Sequence, residues 1–156
     1  MQVLEGQPNG SGRQIAIAVS RFNELVTERL LEGARSTLER QGVSGDSIVV
    51  AWTPGAFELP WTCRMLAESG RFSAVIALGA VIRGATPHFD HVCTQAARGV
   101  LDVSLATKTP VLFGVLTCDN LEQALERAGS DAGNKGAECA MAALEMIELG
   151  ERIREL

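Results

Sequence analysis

The stretch "SAVIALGAVI", Ser73 to Ile82, is apolar at odd and even positions alike. A strand with one face in water alternates apolar and polar side chains, whereas this run suits a strand buried on both faces of a parallel sheet. Three more runs read the same way: "QIAIAV" (Gln14 to Val19), "DSIVVAW" (Asp46 to Trp52) and "PVLFGVL" (Pro110 to Leu116). Helical patterns separate them. "NELVTERLLEGARSTLERQG" places Leu25, Val26, Leu30, Leu31, Ala34 and Leu38 at helical spacing, with Asn23 as the expected N-cap and Gly42 at the exit. Pro60 suits the first turn of a helix reaching about Ser69. From Pro87 onward Phe89, Val92, Ala96, Ala97, Val100, Leu101 and Leu105 recur at threes and fours. Last come "NLEQALERA" and "GAECAMAALEMIELGERIREL", separated by the hinge-like "GSDAGNK", Gly129 to Lys135.

A helix after each buried strand predicts an α/β fold, a three-layer α/β/α sandwich on a four-stranded parallel sheet with flavodoxin-like layering. At 156 residues the chain fits a single domain, 1–156, in which 1–13 forms a flexible or neighbour-pairing lead-in. Hydrophobic residues make up 46% against 21% charged, a soluble globular balance. The excess of 19 acidic over 14 basic residues, net −5, argues against nucleic acid or an anionic membrane as partner. Cys63, Cys93, Cys118 and Cys139 are widely spaced, which fits a reducing compartment. With no signal-like lead-in and no membrane-length apolar run, a cytoplasmic protein is expected.

Ligands of such sheets bind beyond the carboxyl ends of the strands, so "SRFN", "TPGAFE", "RGATPHFD" and "TCDN" are the segments to search. "GAVIRGAT" (Gly79 to Thr86) has Walker A spacing, but Ala85 stands where that motif needs lysine. The turn Gly84, Ala85, Thr86 before a helix either binds an anion on free backbone N–H groups or is an ordinary turn, with Gly84 supplying torsional freedom and Thr86 capping. His88 and His91 share a helix side, yet no second Cys/His cluster completes a zinc set, so no metal is expected. His88, at the sheet's mouth, is the acid–base candidate and His91 a structural or interfacial residue. Glu58 accepts from ligand hydroxyls or is a solvated helix-start carboxylate. Phe22 stacks on a planar ring or staples a helix start. Arg127 clamps phosphate or lies on the surface.

Together, "RFNE" at Arg21, "PGAFELP" at Pro54, "ALGAVIRGATPHFDHV" at Ala77, "FGVLT" at Phe113, "EQALERAG" at Glu122 and "GNKGAE" at Gly133 closely resemble the lumazine synthases of riboflavin biosynthesis, from about Ile15 to Ile147. The resemblance implies condensation of 5-amino-6-(D-ribitylamino)uracil with 3,4-dihydroxy-2-butanone 4-phosphate, the penultimate step of that pathway, without metal or organic cofactor. It implies that Phe22 stacks on the pyrimidine, that Ala56, Phe57 and Glu58 grip the ribityl chain, and that the backbone of Ala80, Val81 and Ile82 holds the uracil edge. Ala85, Thr86 and Arg127 would bind phosphate, and His88 would carry protons. Phe113 would come from a neighbouring subunit, and Lys135 would lie near the site.

The resemblance also implies active sites between adjacent subunits of a homopentamer, and it admits riboflavin synthase as a protein partner. "AGSDAGNKGAE" (Ala128 to Glu138) is similar to the compact connection of members that build a 60-subunit icosahedral shell. Two departures stand out: Thr53, where many relatives are apolar, and Asp131, where the position is often basic and the local charge near Arg127 would change. The competing reading is a non-catalytic flavin-binding or shell-forming module on the same scaffold.

Overall fold

The computed structural model describes residues 1–129 and 133–156. Strands β1 (Ile15–Ser20), β2 (Ile48–Thr53), β3 (Ala74–Ile82) and β4 (Val111–Cys118) form one all-parallel sheet in the order β2-β1-β3-β4. Helices α1 (Glu24–Arg40), α2 (Leu59–Glu68), α3 (His88–Thr107), α4 (Leu121–Arg127) and α5 (Lys135–Arg154) complete the α/β/α sandwich. The expected architecture is present. α1 and α5 pack side by side on one face of the sheet, and α2 and α3 on the other.

The two faces differ in what they bury. Ile15, Ile17 and Val19 of β1 and Ile76 and Leu78 of β3 point toward α1 and α5, where they meet Leu30, Leu38 and Leu144. Ala16, Ala18 and Ala77 point the other way, toward Leu59, Cys63 and Val100. Alternation along β1 therefore sorts its large side chains to one layer and its alanines to the other. Each fully buried leucine or isoleucine contributes about 1.5–3 kcal/mol.

Several expectations need correction. β2 begins at Ile48, because Gly45–Ser47 forms a 3-10 turn. As an edge strand β2 is not covered on both sides, and it leaves Val50 and Trp52 partly in solvent. Leu25, Leu101 and Leu105 fit the helical period but lie exposed, while Val103, absent from the expected set, is buried. The period locates a helix face to within about a residue, and packing decides which flank faces inward.

The connection between α4 and α5 is fastened on its flanks. Asn134 caps α5 by accepting from the Ala137 amide at 3.0 Å, and its Nδ2 donates to the carbonyls of Arg29 (3.1 Å) and Gly129 (2.9 Å). Asp131 lies outside the described residues. Residues 1–14 run as coil against the chain's own helices: Gly6 lies on the Glu145 carbonyl, and the Gly10 amide donates to Gln41 at 2.9 Å. Arg13 closes this segment onto α5 through a two-pronged ion pair with Glu151, whose second bond is 2.8 Å. The guanidinium draws the Glu151 carboxyl below the usual range, so the pair is complete at neutral pH and is lost only as the pH falls below that range. Burial raises the thiols of Cys63 to about 12 and Cys139 to about 11, which leaves them unreactive in the folded chain. Among the described residues no helix is long and apolar enough to cross a membrane.

α1 and α5 approach closely where Gly136 faces the Leu30 carbonyl, and a Cβ on Gly136 would sit 1.9 Å from that oxygen. Neither backbone can yield without separating the helices. Gly136→Ala should therefore cost about 3 kcal/mol or more in urea unfolding, at the upper end for an overpacked core. A change of under about 0.5 kcal/mol would show that the helix pair is not held at this spacing.

Candidate active site

The strands end at different heights, and that stagger makes the site. β1 pairs with β3 only as far as Val19 and Leu78, whereas β3 pairs with β4 up to Ile82 and Cys118. Residues Gly79 to Ile82 thus keep one backbone edge free of the β1 ladder. The Arg83 amide donates to the Cys118 carbonyl at 2.9 Å, on the β4 side. By the two-residue alternation of a strand, the amide and carbonyl of Ile82 point the opposite way, toward the open edge. One donor and one acceptor there match the edge of a planar amide-containing ring.

Asn23 organises the side of this opening nearest β1. It sits in the left-handed region, φ 61°, directly before α1. Instead of capping α1 as expected, its side chain donates from Nδ2 to the Ala80 carbonyl at 2.8 Å. This satisfies the first carbonyl that β1 leaves unpaired and fixes the adjacent Phe22. The Phe22 amide donates to the Pro54 carbonyl at 3.1 Å, and its ring stands 71% exposed. A packing staple would be covered, so Phe22 is not a staple within the chain, and its ring is open to contact from outside.

On the β2 side, "PGAFE" forms a 3-10 turn, Ala56–Glu58, that leads into α2. Ala56 is buried and anchors the turn, while Phe57 is exposed beside it. The Glu58 carboxylate folds back over Gly55, with Oε2 3.1 Å from where a Cβ would be. Gly55 thus leaves room for that carboxylate at the mouth.

On the β3 side, His88 is the first residue of α3, with Pro87 before it. Thr86 does not cap α3, although its hydroxyl lies at 3.5 Å from the His88 amide. Gly84 has no positive φ, so torsional freedom is not its role. Among the described residues nothing lies within 4 Å of a Cβ built there, and the space over it opens into the site.

Phe22, Ala56, Phe57, Glu58, Ala80, Val81, Ile82, Thr86 and His88 line one depression of about 660 Å³, as do Gly84, Phe89 and His91. Ala85 lies exposed on the same turn without lining it. His91, set aside on sequence, shares the depression with His88. Among the described residues no group of three or more His, Cys, Asp or Glu side chains could hold a metal ion.

The remaining site residues lie elsewhere in the chain. Arg127 and Lys135 line a second, smaller depression of about 330 Å³ with Thr117, Glu126 and Glu138. Phe113 is half-buried within β4, against the α2–α3 layer. A single chain therefore holds Phe22 and His88 in one depression and Arg127 and Lys135, with two carboxylates, in another.

The family model described as 6,7-dimethyl-8-ribityllumazine synthase matches residues 12–151. The tie from Asn23 was missed on sequence, where only its place before a helix was visible; asparagine's tolerance of the left-handed region was the available signal. Asn23→Gly keeps that backbone conformation and removes the bond, so stability should fall by about 1 kcal/mol. Binding of a pyrimidine ligand should weaken several-fold by calorimetry. Unchanged ligand affinity would mean that Asn23 does not position the edge.

Proposed function

Since the chain belongs to the 6,7-dimethyl-8-ribityllumazine synthase family, transferases of riboflavin biosynthesis, we propose that it condenses 5-amino-6-(D-ribitylamino)uracil with 3,4-dihydroxy-2-butanone 4-phosphate. The products are 6,7-dimethyl-8-ribityllumazine, phosphate and water, at the penultimate step of the pathway. The observation that carries this reading is the free β3 edge flanked by an exposed aromatic on one side and a helix-start turn with an imidazole on the other.

The pyrimidine lies on Phe22 with its edge against Ala80, Val81 and Ile82, and its ribityl chain follows Ala56, Phe57 and Glu58. Its free amine attacks the ketone, and water leaves to give an imine. Loss of a proton from the neighbouring carbon breaks the carbon–oxygen bond to phosphate, which departs. The resulting enol takes up a proton to become a ketone. The ribityl-bearing nitrogen then closes the ring onto that carbonyl, and water leaves again. His88 moves the protons, a contribution typically of ~10²–10⁴. Both reactants bring their own nucleophile and electrophile, so orientation supplies a large share of the acceleration.

The turn bearing Ala85 and Thr86, with Arg127, holds the phosphate as it leaves. Arg127, Lys135 and Phe113 act on the depression of an adjacent subunit, and the functional unit is a homopentamer. The separation of the two depressions within one chain supports this division. The enzyme acts in the cytoplasm as a single-domain protein, and a partner such as riboflavin synthase, which consumes the product, fits this role. Assembly of pentamers into a 60-subunit shell is read from the short connection between α4 and α5, and light scattering separates it from free pentamers.

Mixing the two substrates with the purified protein should raise the lumazine absorbance in step with phosphate release. An intact oligomer that forms no lumazine at saturating substrate overturns the reading. His88→Ala should lower kcat by about 10²-fold while leaving residual turnover. His88→Ala and Arg127→Ala proteins, each nearly inactive, should recover turnover when co-assembled. If the mixture stays as inactive as its components, the site is not shared between subunits.

A further inference from the structure

Arg83 stands between β3 and the turn Gly84 to Pro87, and its side chain reaches three neighbours at once. Nε donates to Asp119 beyond β4 at 3.0 Å, and Nη1 meets Asp90 in the first turn of α3 at 3.5 Å. The guanidinium also lies over the Phe89 ring, 4.4 Å from its centroid. Among the described residues the turn itself is fastened only by the long contact from the His88 amide to Thr86 and by the Asp90 and His91 amides donating to Pro87. These bonds shape the start of α3 but do not tie it to the sheet.

We infer that Arg83 is a positioning residue for phosphate binding: by joining the end of β4 to the first turn of α3, it fixes the separation across which the backbone of the turn meets the anion. The inference rests on the proposed reaction for its substrate and on the three contacts for its geometry. A planar fork engages two carboxylates and a ring together, whereas lysine's single ammonium cannot. Each contact is exposed and weak alone, with side-chain exposures of 48% for Arg83, 62% for Asp90 and 65% for Asp119, so loss of Arg83 should alter the turn without unfolding the domain. Phe89 lines the same depression as His88, which places Arg83 behind the site, not within it.

The test uses the intact oligomer. Arg83→Gln should raise KM for the butanone phosphate about tenfold, with KM for the pyrimidine within about twofold, since small misplacement of a binding element has effects of this order or larger. Inorganic phosphate, measured by calorimetry without turnover, should bind about tenfold more weakly. Arg83→Lys should restore only part of either loss. Asp119→Asn removes a negative charge near the turn and on charge alone would tighten phosphate; by releasing Arg83 it should instead weaken binding about threefold. Equal changes in both KM values, full rescue by lysine, or tighter phosphate binding in Asp119→Asn would each overturn the inference. Wild-type protein that forms no lumazine rejects the reaction, and the calorimetric arm then still decides the role of Arg83.

Discussion

The structure depends on burying two central strands completely. Every residue of β1 is inaccessible to solvent, and so are those of β3 from Ala74 to Leu78. A buried backbone must find its hydrogen bonds in the sheet, so β1 and β3 are committed to neighbours on both sides. That commitment ends where β1 ends. β3 continues for four residues past its pairing with β1, and the carbonyls and amides released there lie at the depression lined by the connections after β1, β2 and β3. The site is the place where the sheet's internal pairing is first incomplete, and Asn23 takes up the first unpaired carbonyl, that of Ala80.

The same logic explains the division of labour among the layers. The α1–α5 layer receives the large side chains and is locked by the close contact of Gly136 with Leu30 and by Asn134. The α2–α3 layer rests on alanines of β1 and β3 together with Val75 and Val115, and both of its helices begin at the depression, with Glu58 before one and His88 opening the other.

Much of this was legible in the sequence. Strand positions and the parallel arrangement followed from runs such as "QIAIAV", because burial on both faces removes the alternation that marks an exposed strand. Three of the four segments picked out by the rule that ligands sit beyond strand ends line the depression, whereas "TCDN" does not, and its Thr117 lines the smaller one. The flanks of helices were not legible: Leu101 and Val103 are both apolar, and only the packing of α3 against the sheet and α2 decides that Val103 is the buried one. The role of Asn23 depends on where β1 stops relative to β3, a register that no local pattern records. Arg127 and Lys135 stand apart from Phe22 and His88 for a similar reason, since motif order along the chain carries no information about distance across the fold.

The ion pair between Arg13 and Glu151 spans nearly the whole chain in sequence and brings the approach to the first strand against the last helix. Residues 13 and 151 are therefore neighbours although the whole sheet lies between them in sequence. A circular permutant that joined those two points by a short linker would leave the sheet and its free edge uninterrupted.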